Sequence, residues 1–146
     1  MSGAFNCAIY VQKEVDRLIK ELNINYVIET GTSNGATTEW FAERVKNVST
    51  VEVIENTYKN CLNQYKHLPN INFYLGSSDI LLEQMITDFN TNEVILFYLD
   101  AHWYDNWPLL KELEIIGKLK HNNAIIIIDD FKVPNRNKGY DKYGEH

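Results

Sequence analysis

The 146-residue chain holds few of the residues that staple or break a fold. Its two cysteines, Cys7 and Cys61, stand far apart in apolar helical patterns. That spacing argues against a disulfide framework or a zinc site and predicts buried thiols of a reducing compartment. Three prolines and seven glycines are too few for a low-complexity or fibrous chain. No apolar run reaches membrane-spanning length, and the N-terminus lacks a signal-peptide pattern, so no membrane partner and a cytoplasmic location are expected. Basic residues are also in deficit, with 14 Lys and Arg against 20 Asp and Glu. A net charge of −6 without a basic stripe argues against nucleic acid as the partner. What remains is 45% hydrophobic and 23% charged, the composition of one globular domain with one core.

No internal repeat or linker interrupts the chain before its last dozen residues. Helical and extended patterns alternate instead. Val11, Val15, Leu18, Ile19 and Leu22 mark one face of an opening helix. Extended runs follow at Tyr26 to Glu29, Val48 to Val53, Ile71 to Leu75, Val94 to Leu99 and Ala124 to Ile128. Between them lie helices predicted from Asn34 to about Lys46, from about Asn56 to near Pro69, from Ser78 as N-cap, and from Asp105 or Asn106 with Pro108 in the first turn. The last carries Leu109, Leu110, Leu113, Ile116 and Leu119 along one stripe.

Strands one, four and five are nearly continuous apolar runs, as in a parallel sheet covered on both faces. Right-handed crossovers then give a doubly wound, Rossmann-like sheet of strand order 3-2-1-4-5. Such sheets bind ligands outside the carboxyl ends of their strands. The ends carry Glu29, Glu52, Gly76-Ser77-Ser78-Asp79, Asp100 and Asp129-Asp130. One acid after a strand is an ordinary loop residue. Acids converging on one rim need cations or hydrogen-bond donors to share the site.

The run Val27-Ile28-Glu29-Thr30-Gly31-Thr32-Ser33-Asn34-Gly35 is the most specific local signal. Gly31 allows close approach to the backbone, and Gly35 removes a Cβ where strand and helix nearly touch. Glu29 adds a negative charge at the strand tip, suited to an ammonium or a sulfonium. Ser33 stands where a dinucleotide fingerprint has its second glycine, and no Gly-Lys-Ser/Thr follows, so neither that fingerprint nor a Walker-type loop is present. Glu52, about twenty residues past Gly31, is placed to accept from two ribose hydroxyls. Ser78 and Asp79 are placed for an adenine edge, with N-capping by Ser78 an equal alternative. Asp100, Asp129 and Asp130 offer hard oxygen ligands for Mg²⁺ or a similar ion. His102 is a candidate general base or outer ligand, and Trp103, Tyr104 and Trp107 could wall a substrate pocket.

Together these segments resemble the class I S-adenosylmethionine-dependent methyltransferases, in particular the metal-dependent macrocin- and catechol-type O-methyltransferases and the related Methyltransf_24-like group. Val27 to Gly35 looks like motif I, Thr50-Val51-Glu52-Val53 like the ribose-binding segment, and Gly76-Ser77-Ser78-Asp79 like the segment near adenine. Tyr98-Leu99-Asp100-Ala101-His102 and Ile127-Ile128-Asp129-Asp130 look like the two segments that supply metal ligands. The resemblance covers roughly residues 9–133 of one domain. It implies S-adenosylmethionine held by Glu29, Gly31, Thr32, Ser33, Gly35, Glu52, Ser78, Asp79 and Asp100. It also implies a divalent ion on Asp100, Asp129 and Asp130, with methyl transfer to a hydroxyl of a small molecule or sugar.

Two departures stand out. The catechol-type catalytic lysine position holds Trp103, which leaves His102 with Asp100 as the catalytic candidates. The antiparallel strands that follow strand five in the family are absent from the pattern, and residues 131–146 form a polar tail. An apolar fifth strand without a neighbour leaves three readings: a truncated chain, a second subunit over that edge, or the tail folded back across it. An incomplete unit completed by self-association is the favoured expectation. Two rival readings stay open: an adenosylmethionine-binding or assembly module without transfer activity, and a nucleotide-dependent sugar-modifying enzyme.

Overall fold

The computed structural model describes residues 3–102, 107–119, 124–129 and 135. A five-stranded parallel sheet runs through it, with β1 (Tyr26–Thr30), β2 (Asn47–Glu52), β3 (Ile71–Leu75), β4 (Ile95–Leu99) and β5 (Ala124–Ile128). Their order is β3-β2-β1-β4-β5, as expected, and every neighbouring pair is parallel. Helices α1 (Ile9–Glu21), α2 (Ala36–Ala42), α3 (Glu55–Gln64), α4 (Ser78–Phe89) and α5 (Leu109–Gly117) connect and cover the strands, and a 3₁₀ turn over Ala4–Cys7 precedes α1. The architecture is a doubly wound α/β fold.

Side-chain alternation builds two cores. Val27, Val48, Leu96 and Tyr98 pack with Val15, Ile19, Phe41, Cys61 and Tyr65 from the α1–α3 side. Ile28, Val51, Phe97 and Leu99 pack with Leu82 and Met85 of α4 and Ile116 of α5. Because successive strand residues face opposite ways, both faces of β1 and β4 must be apolar. Phe5 reaches the first core from the N-terminal turn and makes edge-to-face contacts with Trp40, Phe41 and Tyr98, at centroid distances of 5.1, 5.5 and 5.1 Å.

Several local expectations shift. The helix after β1 ends at Ala42 rather than near Lys46. The chain must turn back to begin β2, and the Asn70 amide donates to the Ala42 carbonyl at 2.8 Å, holding that end. Val11 and Leu22 fall on the exposed side of α1, leaving Val15 and Ile19 as its buried residues. Leu110 is exposed, and Glu112 takes the inward position on α5. Cys61 is buried as expected, whereas Cys7 is exposed at the end of the N-terminal turn. Ser77, not Ser78, occupies the N-cap position of α4, and its hydroxyl bonds the Asp79 carboxylate. Pro108 sits at the N-cap of α5, while Asp105 and Asn106 lie outside the described residues. On β5, the outer strand of the described sheet, Ile126 is exposed; Asp130 and nearly all of the 131–146 tail lie outside the described residues. Among the described residues, no helix is long and apolar enough to cross a membrane.

Candidate cofactor site

Backbone bonds draw the carboxyl ends of the strands into one rim. Gly31 and Thr32 donate to the Val51 carbonyl at 3.1 and 3.2 Å, and Gly76 donates to the Glu52 carbonyl at 2.9 Å. On the other side, Asp100 donates to the Thr30 carbonyl at 3.1 Å and Asp129 to the Leu99 carbonyl at 3.0 Å. Against this rim opens a cleft of about 530 Å³, within the range of small-molecule sites. Gly31, Ser33, Glu52, Ser78, Asp100 and His102 all border it, so the expected residues of four strand ends meet in one cavity.

The glycines act through packing. Gly31 has φ +86°, and a Cβ there would lie 2.6 Å from the Asp100 carbonyl oxygen. The close approach it permits is therefore between the ends of β1 and β4. Gly35 has φ +76°, and its Cβ would fall 2.3 Å from the Tyr65 ring. The element pressing on it is the end of α3 rather than a strand, and Gly35 does not border the cleft.

Glu52 is the most completely positioned acid. Its Oε2 accepts from the Ser33 amide and its Oε1 from the Ile54 amide, both at 2.9 Å. Ser33 presents its amide from a left-handed backbone, φ 50°, and its carbonyl accepts from the Cys61 thiol at 3.2 Å. Burial and the neighbouring Glu52 and Glu29 charges push that thiol up to about 11, so it stays neutral.

Glu29 departs from the fixed negative charge expected at the strand tip. It is 1% exposed, and its Oε2 accepts from the hydroxyls of Thr38 and Thr50. Thr50 in turn pairs with the Thr32 hydroxyl at 2.7 Å. Burial pushes the Glu29 carboxyl up to about 7, against the opposing pull of the two threonines. It borders a smaller cavity of about 60 Å³ together with Asn6, Thr32, Ser33, Thr37 and Asp100. The charge at this tip therefore titrates near neutrality.

Asp79 lies in the first turn of α4, bonded by Ser77, and is not among the residues bordering the main cleft. Asp129 Oδ2 accepts from the Tyr98 hydroxyl at 2.5 Å. Burial, with Asp100 and Asp129 beside it, holds that phenol far above its ordinary range, so it remains a donor. His102 is exposed and stacks on Trp107 at 5.2 Å between centroids. Among the described residues, no group of three or more His, Cys, Asp or Glu could hold a metal ion. The expected magnesium set thus gains no support, its third member Asp130 lying outside the described residues, as do Trp103 and Tyr104.

The sequence reading missed Asn6, Ile54 and Thr57, which border the cleft, and Glu112 beside it, while Val53 and Ser77, named there only within the ribose and adenine segments, also border it. Ile54 follows a strand end and could have been inferred from it. Asn6 carried no local signal, because the N-terminal turn is placed by Phe5.

No family model matches the chain, and neither does any curated protein. Solved structures do. A Staphylococcus aureus protein described as a caffeoyl-CoA O-methyltransferase is 20% identical, with a TM-score of 0.59 over 83% of this chain and 57% of its own. A Bacillus cereus O-methyltransferase in complex with SAH is 17% identical, with a TM-score of 0.56 over 78% of this chain and 55% of its own. An rRNA methylase from Streptococcus thermophilus is 18% identical, with a TM-score of 0.56 over 80% of this chain and 70% of its own. The chain thus spans little more than half the length of the first two. Neighbours named for such different acceptors leave the acceptor open, since a fold hosts many activities. What the likeness does establish is the fold alone, a Rossmann-like sheet similar to that of these methyltransferases.

Proposed function

We propose that this chain is an S-adenosylmethionine-dependent methyltransferase domain acting on a small-molecule acceptor. The observation that carries the reading is Glu52, whose two oxygens are each held by a backbone amide at the wall of the 530 Å³ cleft. A carboxylate fixed in that way keeps its remaining lone pairs for a pair of adjacent hydroxyls, the arrangement a ribose presents.

The other residues fit the same ligand. Val53 and Ile54 supply apolar surface, and Ser78 borders the cleft beyond the end of β3, where a base edge would lie. Asp79, Thr32, Ser33 and Gly35 shape the turns around it. Glu29, whose carboxyl is pushed up to about 7 and is bonded by two threonines, can lose its proton to become the anion that balances a ligand's positive charge. When bound, S-adenosylmethionine supplies a methyl group already activated by its sulfonium. The chain therefore needs chiefly to align an acceptor and receive its proton. His102 at the cleft mouth, stacked on Trp107, is the group proposed to receive it, with Asp100 orienting the acceptor. Hydroxyl methylation is the finer reading, and no step in it is routed through a metal ion.

Thermal unfolding with S-adenosylhomocysteine, with NAD, and with neither tests this directly, each with and without Mg²⁺. At a hundred times its Kd, a ligand of the folded state adds about 2.7 kcal/mol. S-adenosylhomocysteine is expected to stabilise and NAD to leave the transition unmoved. Stabilisation by NAD alone would transfer the reading to nucleotide-dependent chemistry. Cofactor binding without turnover across hydroxyl and amine acceptors would reduce it to a binding module.

A further inference from the structure

Two cavities meet behind the strand ends. The cleft of about 530 Å³ and the smaller cavity of about 60 Å³ beside Glu29 share four bordering residues, Asn6, Gly31, Ser33 and Asp100. Three of these are fixed to the sheet. Gly31 donates to the Val51 carbonyl at 3.1 Å, Ser33 to Glu52 at 2.9 Å and Asp100 to the Thr30 carbonyl at 3.1 Å. Asn6 differs, because it stands on the N-terminal 3₁₀ turn, outside the sheet.

That turn is held against its own backbone preference. Phe5, Asn6 and Cys7 have φ of 51°, 52° and 64°, a left-handed run that residues with a Cβ adopt only at a cost. The opposing force is one buried ring. Phe5 is 4% exposed and sits edge-on to Trp40, Phe41 and Tyr98. Two side-chain bonds add to it: the Phe5 amide donates to the Thr37 hydroxyl and the Gln12 side-chain amide to the Ala4 carbonyl, both at 3.0 Å. On the other side, Ala8 enters α1 without a side-chain cap. The strain of three left-handed residues and the burial of one aromatic ring are similar in size and opposite in sign. A segment so balanced has two states, seated and released, with Ala8 as its hinge.

The seated turn closes the inner cavity. Gly3, Phe5 and Asn6 border it, and at about 60 Å³ it holds a few waters but no ligand of cofactor size. A ligand that fills the cleft and also reaches Glu29 requires the partition between the two cavities to move. Asn6 is the part of that partition carried by the turn rather than by a strand. We propose that the N-terminal turn is a gate: Phe5 latches it, its release joins the inner cavity to the cleft, and its return closes Asn6 over the bound ligand. The identity of that ligand rests on the methyltransferase reading, whereas the gate is a property of the chain itself.

Stopped-flow tryptophan fluorescence with S-adenosylhomocysteine tests this on the parent, Phe5→Ala and Cys7→Gly, with hydrogen exchange of the ligand-free proteins alongside. In Phe5→Ala the gate stands open, so association is expected to rise about threefold and dissociation about tenfold. Loss of a wall that merely shapes the site would slow association instead. Cys7→Gly relieves left-handed strain without touching the ring, so both rates should fall about threefold while Kd stays within about twofold. Without ligand, the Phe5 and Ala8 amides, bonded to the Thr37 hydroxyl and the Phe5 carbonyl, should exchange ahead of the sheet. Slower or unchanged association in Phe5→Ala, undiminished rates in Cys7→Gly, or turn amides that exchange only with global unfolding would each overturn the gate. Failure of the parent to bind S-adenosylhomocysteine would instead remove the methyltransferase reading, and the exchange measurement would then decide the gate by itself.

Discussion

The Ser33 amide donates to Glu52 Oε2 at 2.9 Å, so the turn leaving β1 and the carboxylate ending β2 hold each other in place. The two lie 19 residues apart in sequence, and only the parallel pairing of β1 with β2 makes them neighbours. Replacing Glu52 by Ala leaves the Ser33 and Ile54 amides without their acceptor. Hydrogen bonds to charged groups are worth roughly 1.5–3 kcal/mol each. Calorimetric titration with S-adenosylhomocysteine should show a Kd raised at least tenfold, with a smaller loss in Glu52→Gln, which retains one acceptor oxygen.

Gly31→Ala should destabilise the protein by about 1–3 kcal/mol, since it combines a left-handed backbone with a Cβ 2.6 Å from the Asp100 carbonyl oxygen. That contact is with backbone and cannot be relieved by a rotamer change. Gly35→Ala meets the Tyr65 ring instead, so pairing it with Tyr65→Leu should recover part of its own loss. Urea unfolding of the two single variants and the double variant decides the matter, and additive losses would contradict it.

Glu29 makes stability depend on pH in a defined direction. Burial raises its carboxyl from 4.5 to about 7, so between those values the folded state binds more protons than the unfolded chain. Stability from this group is complete below about pH 4.5, declines as pH rises to about 7 and is then lost. The full swing is about 3.5 kcal/mol at most, from about 1.4 kcal/mol per unit. Glu112 is shifted in the same direction and adds to the slope. Urea unfolding at several pH values should give a shallower decline for Glu29→Gln than for the parent. An unchanged slope would mean that Glu29 is ionised in the folded protein throughout.

Phe5→Ala should cost about 3–5 kcal/mol, the range for emptying a buried aromatic site. Phe5 is 4% exposed, and its amide donates to the Thr37 hydroxyl at 3.0 Å. The N-terminal turn is built from Phe5, Asn6 and Cys7, all at positive φ, which costs non-glycine residues energy that the Phe5 contacts offset. Hydrogen exchange should therefore speed up selectively in this turn and at the start of α2. Cofactor affinity should weaken as well, because Asn6 borders the cleft.

The strand order and the cleft position were legible because they follow from patterns short in sequence. Apolar runs of five residues separated by helical periods leave a parallel doubly wound sheet as the natural arrangement, and its ligand edge follows from strand direction. Glu52 and Ser78 could be placed on the rim by counting from strand ends. Their neighbours could not. Whether Glu29 is a fixed charge or a neutral acid depends first on its burial under the assembled layers, and then on the opposing bonds from Thr38 of α2 and Thr50 of β2.

Residue order alone determined which strands form and which way they point, because alternation and apolar run length act over only a few residues. Tertiary structure decided what each rim residue does. Glu29 and Thr30 are consecutive, yet one turns toward the threonines of the α1–α3 face and the other toward α5, where Glu112 is buried. Burial and pairing are properties of the assembled layers, and the charge state of an acid follows from them.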